Sequence, residues 1–309
     1  MTSTSVSIAG QRAVRDPVQR EHITFRADDG RLLEGTWFRP RSPSAGHVLV
    51  APAMATPARF YAGFATWLAR RGLTVLTFDY RGTTATPSAL RRETADLLTW
   101  AGDAAAALEL ALDDAPAGAY SPATWIGHSF GGQILPFVRH DLLDSAVLVA
   151  TGNGHYHHNP AWLRRRAPLL WRGIVPLTTS VAGYFPGRRL GILGDLPTQV
   201  ARQWGRWCMH PDYWAADVRD IAARHALITH PVTLVSTSDD PLVTRTGPAA
   251  LARALSEAPV SIVELSPAQL GVDSIGHHGL FRPELAHAWE AVFAPHLAHT
   301  LMPTTTTHA

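Results

Sequence analysis

Apolar positions along this chain follow two alternating rhythms. Short runs that are unbroken or alternate with period two read as strands, and stretches with apolar residues every three or four positions read as helices. His22 to Arg26 and Leu32 to Phe38 flank the turn signal Asp28-Asp29-Gly30 and predict a hairpin. Further strands are expected at His47 to Ala51, Leu73 to Asp79, Thr124 to Ile126, Ala146 to Ala150, Val232 to Val235 and Ser261 to Leu265. Between them, Phe60, Phe64, Trp67 and Leu68 recur at helical spacing, as do Leu97, Ala101, Ala104, Leu108 and Leu112. A helix is expected after Gly131, and Pro136 inside it predicts a kink or an irregular first turn. Leu285, Ala288, Trp289, Val292 and Phe293 predict a last helix.

Strands that alternate with helices predict an α/β fold: a mainly parallel, doubly wound sheet with helices on both faces. Ligands then sit at the carboxyl ends of the strands. One stretch, residues 152–226, has no strand-like run and is rich in Arg, Trp, Tyr and His. It reads as a mostly helical cap inserted into a core of residues 19–151 and 227–299. Residues 1–18 read as a loose arm and 300–309, with Thr304 to Thr307, as a loose tail.

Composition narrows the class. The 309 residues are 46% hydrophobic and 17% charged, which excludes bulk disorder. The 27 cationic residues, all Arg, against 25 acidic ones leave +2, too weak a balance to imply nucleic acid. The single Cys208 excludes an intrachain disulfide scaffold. Met1 to Asp16 has no apolar signal core, and no run approaches the roughly 20 apolar residues of a membrane span. A cytoplasmic enzyme or binding protein, with no nucleic-acid or membrane partner, is the expectation.

Gly127-His128-Ser129-Phe130-Gly131 fits G-x-S-x-G, with an apolar strand before it and a helix after it. That context suits a nucleophile elbow, where small glycines let the chain turn sharply under an exposed serine. A nucleophilic serine needs a base, and the base needs an orienting carboxylate. Asp239-Asp240-Pro241 follows one strand, and Gly276-His277-His278-Gly279 follows the next, in the order Ser, acid, His. Two backbone N–H groups must hold the oxyanion. Phe130 offers one, and the loop Pro52-Ala53-Met54-Ala55 offers the other, at Met54.

With these residues in place, the chain resembles the α/β-hydrolase superfamily from about His22 to His296. It is similar to a bacterial group of predicted serine hydrolases at Ala51-Pro52-Ala53-Met54, Phe78-Asp79-Tyr80-Arg81-Gly82, Gly127-His128-Ser129, Gly183-Tyr184-Phe185-Pro186-Gly187, Asp239-Asp240-Pro241 and Ile275-Gly276-His277. The resemblance implies a triad of Ser129, Asp240 and His277, an oxyanion hole at Met54 and Phe130, and no metal or organic cofactor. Two positions depart from the group. Ala55 stands where a Gly is usual, which narrows the mouth of the hole, and Thr83-Thr84-Ala85-Thr86 replaces a Gly-x-Ser loop.

The function expected is hydrolysis of a carboxylic ester or thioester through an acyl-enzyme on Ser129, with a small-molecule acyl substrate that is free or linked to a carrier or to CoA. The alternatives are an acyltransferase or cyclising thioesterase with the same triad, and a non-hydrolytic cyclase or binding protein that uses only the cavity. His155, His157 and His158 read as a polar loop rather than a metal site. Arg164, Arg165, Arg166, Arg172, Arg188 and Arg189 read first as a solvated face, with recognition of an anionic substrate as the functional alternative.

Overall fold

The computed structural model describes residues 18–115 and 120–297. The expected tail from 300, and all of the arm but its last residue, lie outside the described residues. That last residue, Val18, departs from the expectation, because it opens a strand and is buried.

All eight expected strands form: β1 (Val18–Arg26), β2 (Leu32–Pro40), β3 (Gly46–Ala51), β4 (Leu73–Phe78), β5 (Ala123–His128), β6 (Ser145–Val149), β7 (Val232–Thr237) and β8 (Val260–Leu265). They make one sheet in the order β1-β2-β4-β3-β5-β6-β7-β8. The hairpin β1–β2 and the pair β2–β4 are antiparallel, and every other pair is parallel.

Strands β3 to β6 are buried on both faces, which is why they read as unbroken apolar runs. Their residues alternate between two cores. Leu49, Trp125 and Leu148 face one side with Trp100, Ala104 and Leu108 of the helix Leu97–Asp113. Val48, Val50, Ile126 and Val149 face the other with Phe64 and Leu68 of the helix Ala62–Arg70. Asp96 and Thr99 close a capping box at the start of the longer helix.

The last expected helix is less regular than its apolar spacing predicts. Pro283–Ala288 is a 3₁₀ stretch and only Trp289–Phe293 is α-helical. Pro283 and Pro295 confine the segment to a short span, and its ends tighten accordingly. The face forms all the same: Leu285, Trp289, Val292 and Phe293 are buried.

Between β6 and β7 the chain is helical, at Ala161–Leu169, Val175–Ala182, Gly187–Leu190, Thr198–Met209 and Ile221–Ala226. A π-helical turn, Leu170–Ile174, joins the first two without a break. Its one extended pairing among the described residues is the isolated bridge Phe185 to Leu196. Phe185, Trp207, Tyr213 and Trp214 are buried and pack the segment down.

Candidate active site

Ser129 stands at the turn where β5 leaves the sheet. Its φ of 52° and ψ of −111° place a non-glycine residue in a strained conformation. The glycines around it explain how that turn closes. A Cβ on Gly131 would lie 2.1 Å from the Ala51 carbonyl oxygen, one on Gly127 would lie 2.6 Å from Gly132, and one on Gly132 would lie 2.4 Å from Thr151 Oγ1. The Ser129 N–H donates to Val149 O at 2.8 Å, which ties the turn to β6.

The helix behind the elbow is a single turn, Phe130–Gln133, followed by a 3₁₀ turn Leu135–Phe137 that contains Pro136. The irregularity expected from Pro136 is therefore present, at the cost of a long helix. Negative charge at the elbow would be met by individual N–H groups rather than by an extended helix dipole.

The acid and imidazole loops meet as their order along the chain predicts. His277 Nδ1–H donates to Asp240 Oδ2 at 2.8 Å, and both side chains are buried. Because the carboxylate can only accept, this fixes the imidazole tautomer and leaves Nε2 as the free acceptor. Asp240 Oδ1 accepts from the N–H groups of Leu242 at 2.7 Å and Val243 at 3.0 Å. Asp239, in the turn after β7, contacts the backbone of the imidazole loop instead of the ring. Its Oδ2 accepts from Ser274 Oγ, Ile275 N and Gly276 N, so it braces the loop that carries His277. Burial opposes ionisation of Asp239, but those N–H donors outweigh it and hold the carboxyl below its usual range.

Ser129 and His277 border one cavity. Among the described contacts no hydrogen bond joins Ser129 Oγ to the imidazole. His278 borders the same cavity, its Nε2 3.4 Å from Thr56 Oγ1, but pairs with no carboxylate among the described residues. Burial, with His277 and Arg282 nearby, lowers its pKa to about 4, so it stays neutral.

Met54 and Phe130 also border the cavity, and neither backbone N–H donates to another described residue. The adjacent Ala53 N–H is already used by Tyr61 Oη at 2.9 Å. Ala55 adopts a φ of 56°, the conformation that a glycine would take without strain. Its methyl lies against the inserted segment at Gly194, where a Cβ would come within 2.9 Å of it.

Several supporting residues were not singled out in the sequence. Tyr61 Oη–H donates to His128 Nδ1 at 2.7 Å, and His128 Nε2–H donates to the His277 carbonyl at 2.9 Å. One buried chain thus runs from the loop of Met54 to the loop of His277. Burial, reinforced by His277 and His278, pushes the His128 pKa well down and keeps the ring neutral. The Phe78-to-Gly82 motif serves the same loop. Asp79 Oδ1 accepts from Ala58 N at 2.7 Å, and Tyr80 Oη donates to Pro52 O at 3.2 Å. His128, Asp79 and Tyr80 all lie inside motifs already read, so their signal was present. Tyr61 carried none.

The cavity has a volume of about 380 Å³. Leu163, Ala167, Leu170, Trp171, Leu193, Trp204 and Cys208 of the inserted segment cover it. Among the described residues, no arginine and no carboxylate lines it. The segment's basic residues therefore do not line this cavity, and burial pushes the Cys208 thiol pKa up, so it stays neutral. The loop His155–Asn159 clasps the acid loop instead: Asn159 Nδ2 donates to Leu242 O at 2.7 Å, and Thr244 Oγ1 to His158 O at 2.8 Å.

Known proteins share this fold. Residues 42–174 match the family model described as serine aminopeptidase, S33. No curated protein matches the chain in sequence. Among solved structures, the chain is similar to the α/β hydrolase GrgF from Penicillium sp. sh18, at 17% identity and a TM-score of 0.61, over 92% of this chain and 100% of that one. It is similar to the Pyrococcus furiosus esterase Pf2001 at 13% identity and 0.58, over 97% and 100%. It is also similar to the Pyrococcus horikoshii acylaminoacyl peptidase at 14% identity and 0.60, over 95% of this chain and 43% of that one.

Proposed function

We propose, from the premise that the chain belongs by fold to the α/β-hydrolase superfamily, that it is a serine hydrolase of esters or thioesters with an uncharged, apolar acyl group. The observation that carries this reading is the pairing of His277 with Asp240 at 2.8 Å on the wall of the cavity that Ser129 borders from its strained elbow.

In this reading Ser129 Oγ attacks the acyl carbonyl carbon while His277 Nε2 takes its proton. The Met54 and Phe130 N–H groups hold the oxyanion. The tetrahedral species expels the alkoxide or thiolate, which receives the proton from His277. Water, deprotonated by the same nitrogen, then releases the acid from the acyl-enzyme. Asp240 holds the imidazole in the tautomer that each transfer requires.

The cavity lining supports an ester over an aminopeptidase substrate. A free amino terminus is cationic and calls for a carboxylate, and none of the described residues that line the cavity carries one. The aliphatic and tryptophan cover suits an apolar acyl chain instead.

The test is labelling by a fluorophosphonate together with turnover of p-nitrophenyl esters of graded chain length. Ser129→Ala should keep its fold, lose the label and lose about 10⁴-fold or more in kcat. An unlabelled wild type, or a folded Ser129→Ala variant with most of its activity, would overturn the assignment.

A further inference from the structure

The helices Ala161–Leu169 and Val175–Ala182, with the π-helical turn between them, form one continuous rod over residues 161–182, roughly 33 Å long. Its inner side covers the cavity through Leu163, Ala167, Leu170 and Trp171. Its outer side is also apolar. Trp162 is 48% exposed, Leu169 and Leu177 are each 66% exposed, and Val181 is 81% exposed.

These four are spaced by seven, eight and four residues. The π-helical turn takes up the extra residue of the middle interval, so Leu169 and Leu177 stay on one side, two turns apart. The result is a stripe along one face rather than scattered exposure.

The sequence that carries the stripe is basic, and the first carboxylate after it, Asp195, accepts from the Arg188 N–H at 3.0 Å. Residues 145–194 contain no Asp or Glu, yet they hold Arg164, Arg165, Arg166, Arg172, Arg188 and Arg189. None of the six forms an ion pair with a described residue. The Arg166 guanidinium lies 5.7 Å from the Trp162 ring. No helix among the described residues is long and apolar enough to cross a membrane, so the rod would lie in an interface rather than span it.

We propose that this outer face docks the protein on an anionic lipid surface, with Trp162, Leu169, Leu177 and Val181 entering the headgroup boundary and the arginines meeting lipid phosphates. The pattern of aliphatic and Trp side chains flanked by cations is that of an interfacial helix. A second copy of the chain fits less well, since two such faces would set like charges against each other. The proposal departs from the sequence reading, which expected no membrane partner. It does not depend on the hydrolase reading, because binding is measured without turnover.

The experiment is flotation of the full chain with vesicles of phosphatidylcholine alone or mixed with phosphatidylglycerol, at low and high salt. The wild type should bind the phosphatidylglycerol vesicles at least about tenfold more tightly and lose that advantage as salt rises. L177D/V181D should lose binding while its Tm and its rate on a soluble ester stay at wild-type values. R164Q/R165Q, which leaves the apolar stripe intact, should bind with a weaker salt dependence and serves if the first variant is unstable. Equal binding to both vesicle types, no binding, or full binding by both variants overturns the proposal. So does a wild-type dimer in solution that L177D/V181D dissociates, which would give the face to a second copy.

Discussion

Asp239 and Asp240 are adjacent, identical and close to the same imidazole loop, yet their surroundings give them different work. Asp240 touches the ring itself, and Asp239 touches the backbone that presents the ring. Asp240→Asn should keep the fold and lower kcat by up to about 10⁴-fold, because the amide favours the wrong imidazole tautomer. Asp239→Ala removes the acceptor of three donors, so it should cost about 1–3 kcal/mol of stability and lower kcat far less. Measuring kcat and Tm for the two variants side by side decides; a crippled Asp239→Ala enzyme with a normal Tm would reverse the roles. Tyr61 makes a finer case. Tyr61→Phe leaves the Ala53 N–H and His128 Nδ1 without partners in a buried place, at about 1–3 kcal/mol. Its loss would loosen the Met54 loop against the His277 loop and lower kcat by about tenfold to 10²-fold with little change in KM. Tm and a kcat-against-KM comparison test this; a wild-type kcat would show that the chain does not position the site. The two aspartates were legible from their place before Pro241. Tyr61 was not, because a tyrosine on an apolar helical stripe carries no mark of the partner across the fold that makes it matter.

At the scale of elements, the elbow is set by what cannot be added to it. Gly131→Ala would force a methyl against the Ala51 carbonyl, on a strand that cannot yield. The variant should be recovered largely unfolded or with a markedly lowered Tm, read by soluble yield and thermal melting. A folded, active Gly131→Ala enzyme would mean that the strand and turn can separate. Strands β3 to β6 were legible because they are buried on both sides, and β1 and β2 because they flank a clear turn signal. The helices after Gly131 and before Phe293 were legible as apolar faces but not as regular elements. Pro136 announced the first irregularity. The second arises where 3₁₀ and α turns bury the same side chains, so apolar spacing does not separate them. The inserted segment showed itself by its lack of strands, but its inward and outward faces did not, because both are apolar on the rod over 161–182 and a single periodicity cannot sort them.

For the whole molecule, the most consequential trait of the composition is how many histidines folding buries without charge. Burial lowers the pKa of His225 and His278 to about 4, and that of His155 to about 4 as well, with His157 and His158 adding to its shift. His128 is pushed well down by the same cause. The ordinary histidine value is 6.5, so between 6.5 and about 4 the unfolded chain binds protons that the folded chain refuses. Stability therefore rises with pH across that window and is lost as pH falls through it, at up to about 1.4 kcal/mol per pH unit for each such group. A carboxylate such as Asp29, held at about 2 by Arg81 and the Arg31 N–H, acts in the same sense but only below the ordinary carboxylate range. Burial raises the pKa of Asp79 and Asp103, which oppose this trend as they protonate, so the histidine contribution is read from a variant rather than from the whole curve. His225 isolates the effect, since it packs edge-on against Trp214 away from the candidate site and its buried Nε2 has no hydrogen-bond partner among the described residues. Melting curves from pH 7 to pH 4.5 should show Tm falling with acid in the wild type and falling less steeply in His225→Met, with kcat at pH 7 unchanged. Parallel curves for the two proteins would show that His225 is protonated in the fold as readily as in the unfolded chain.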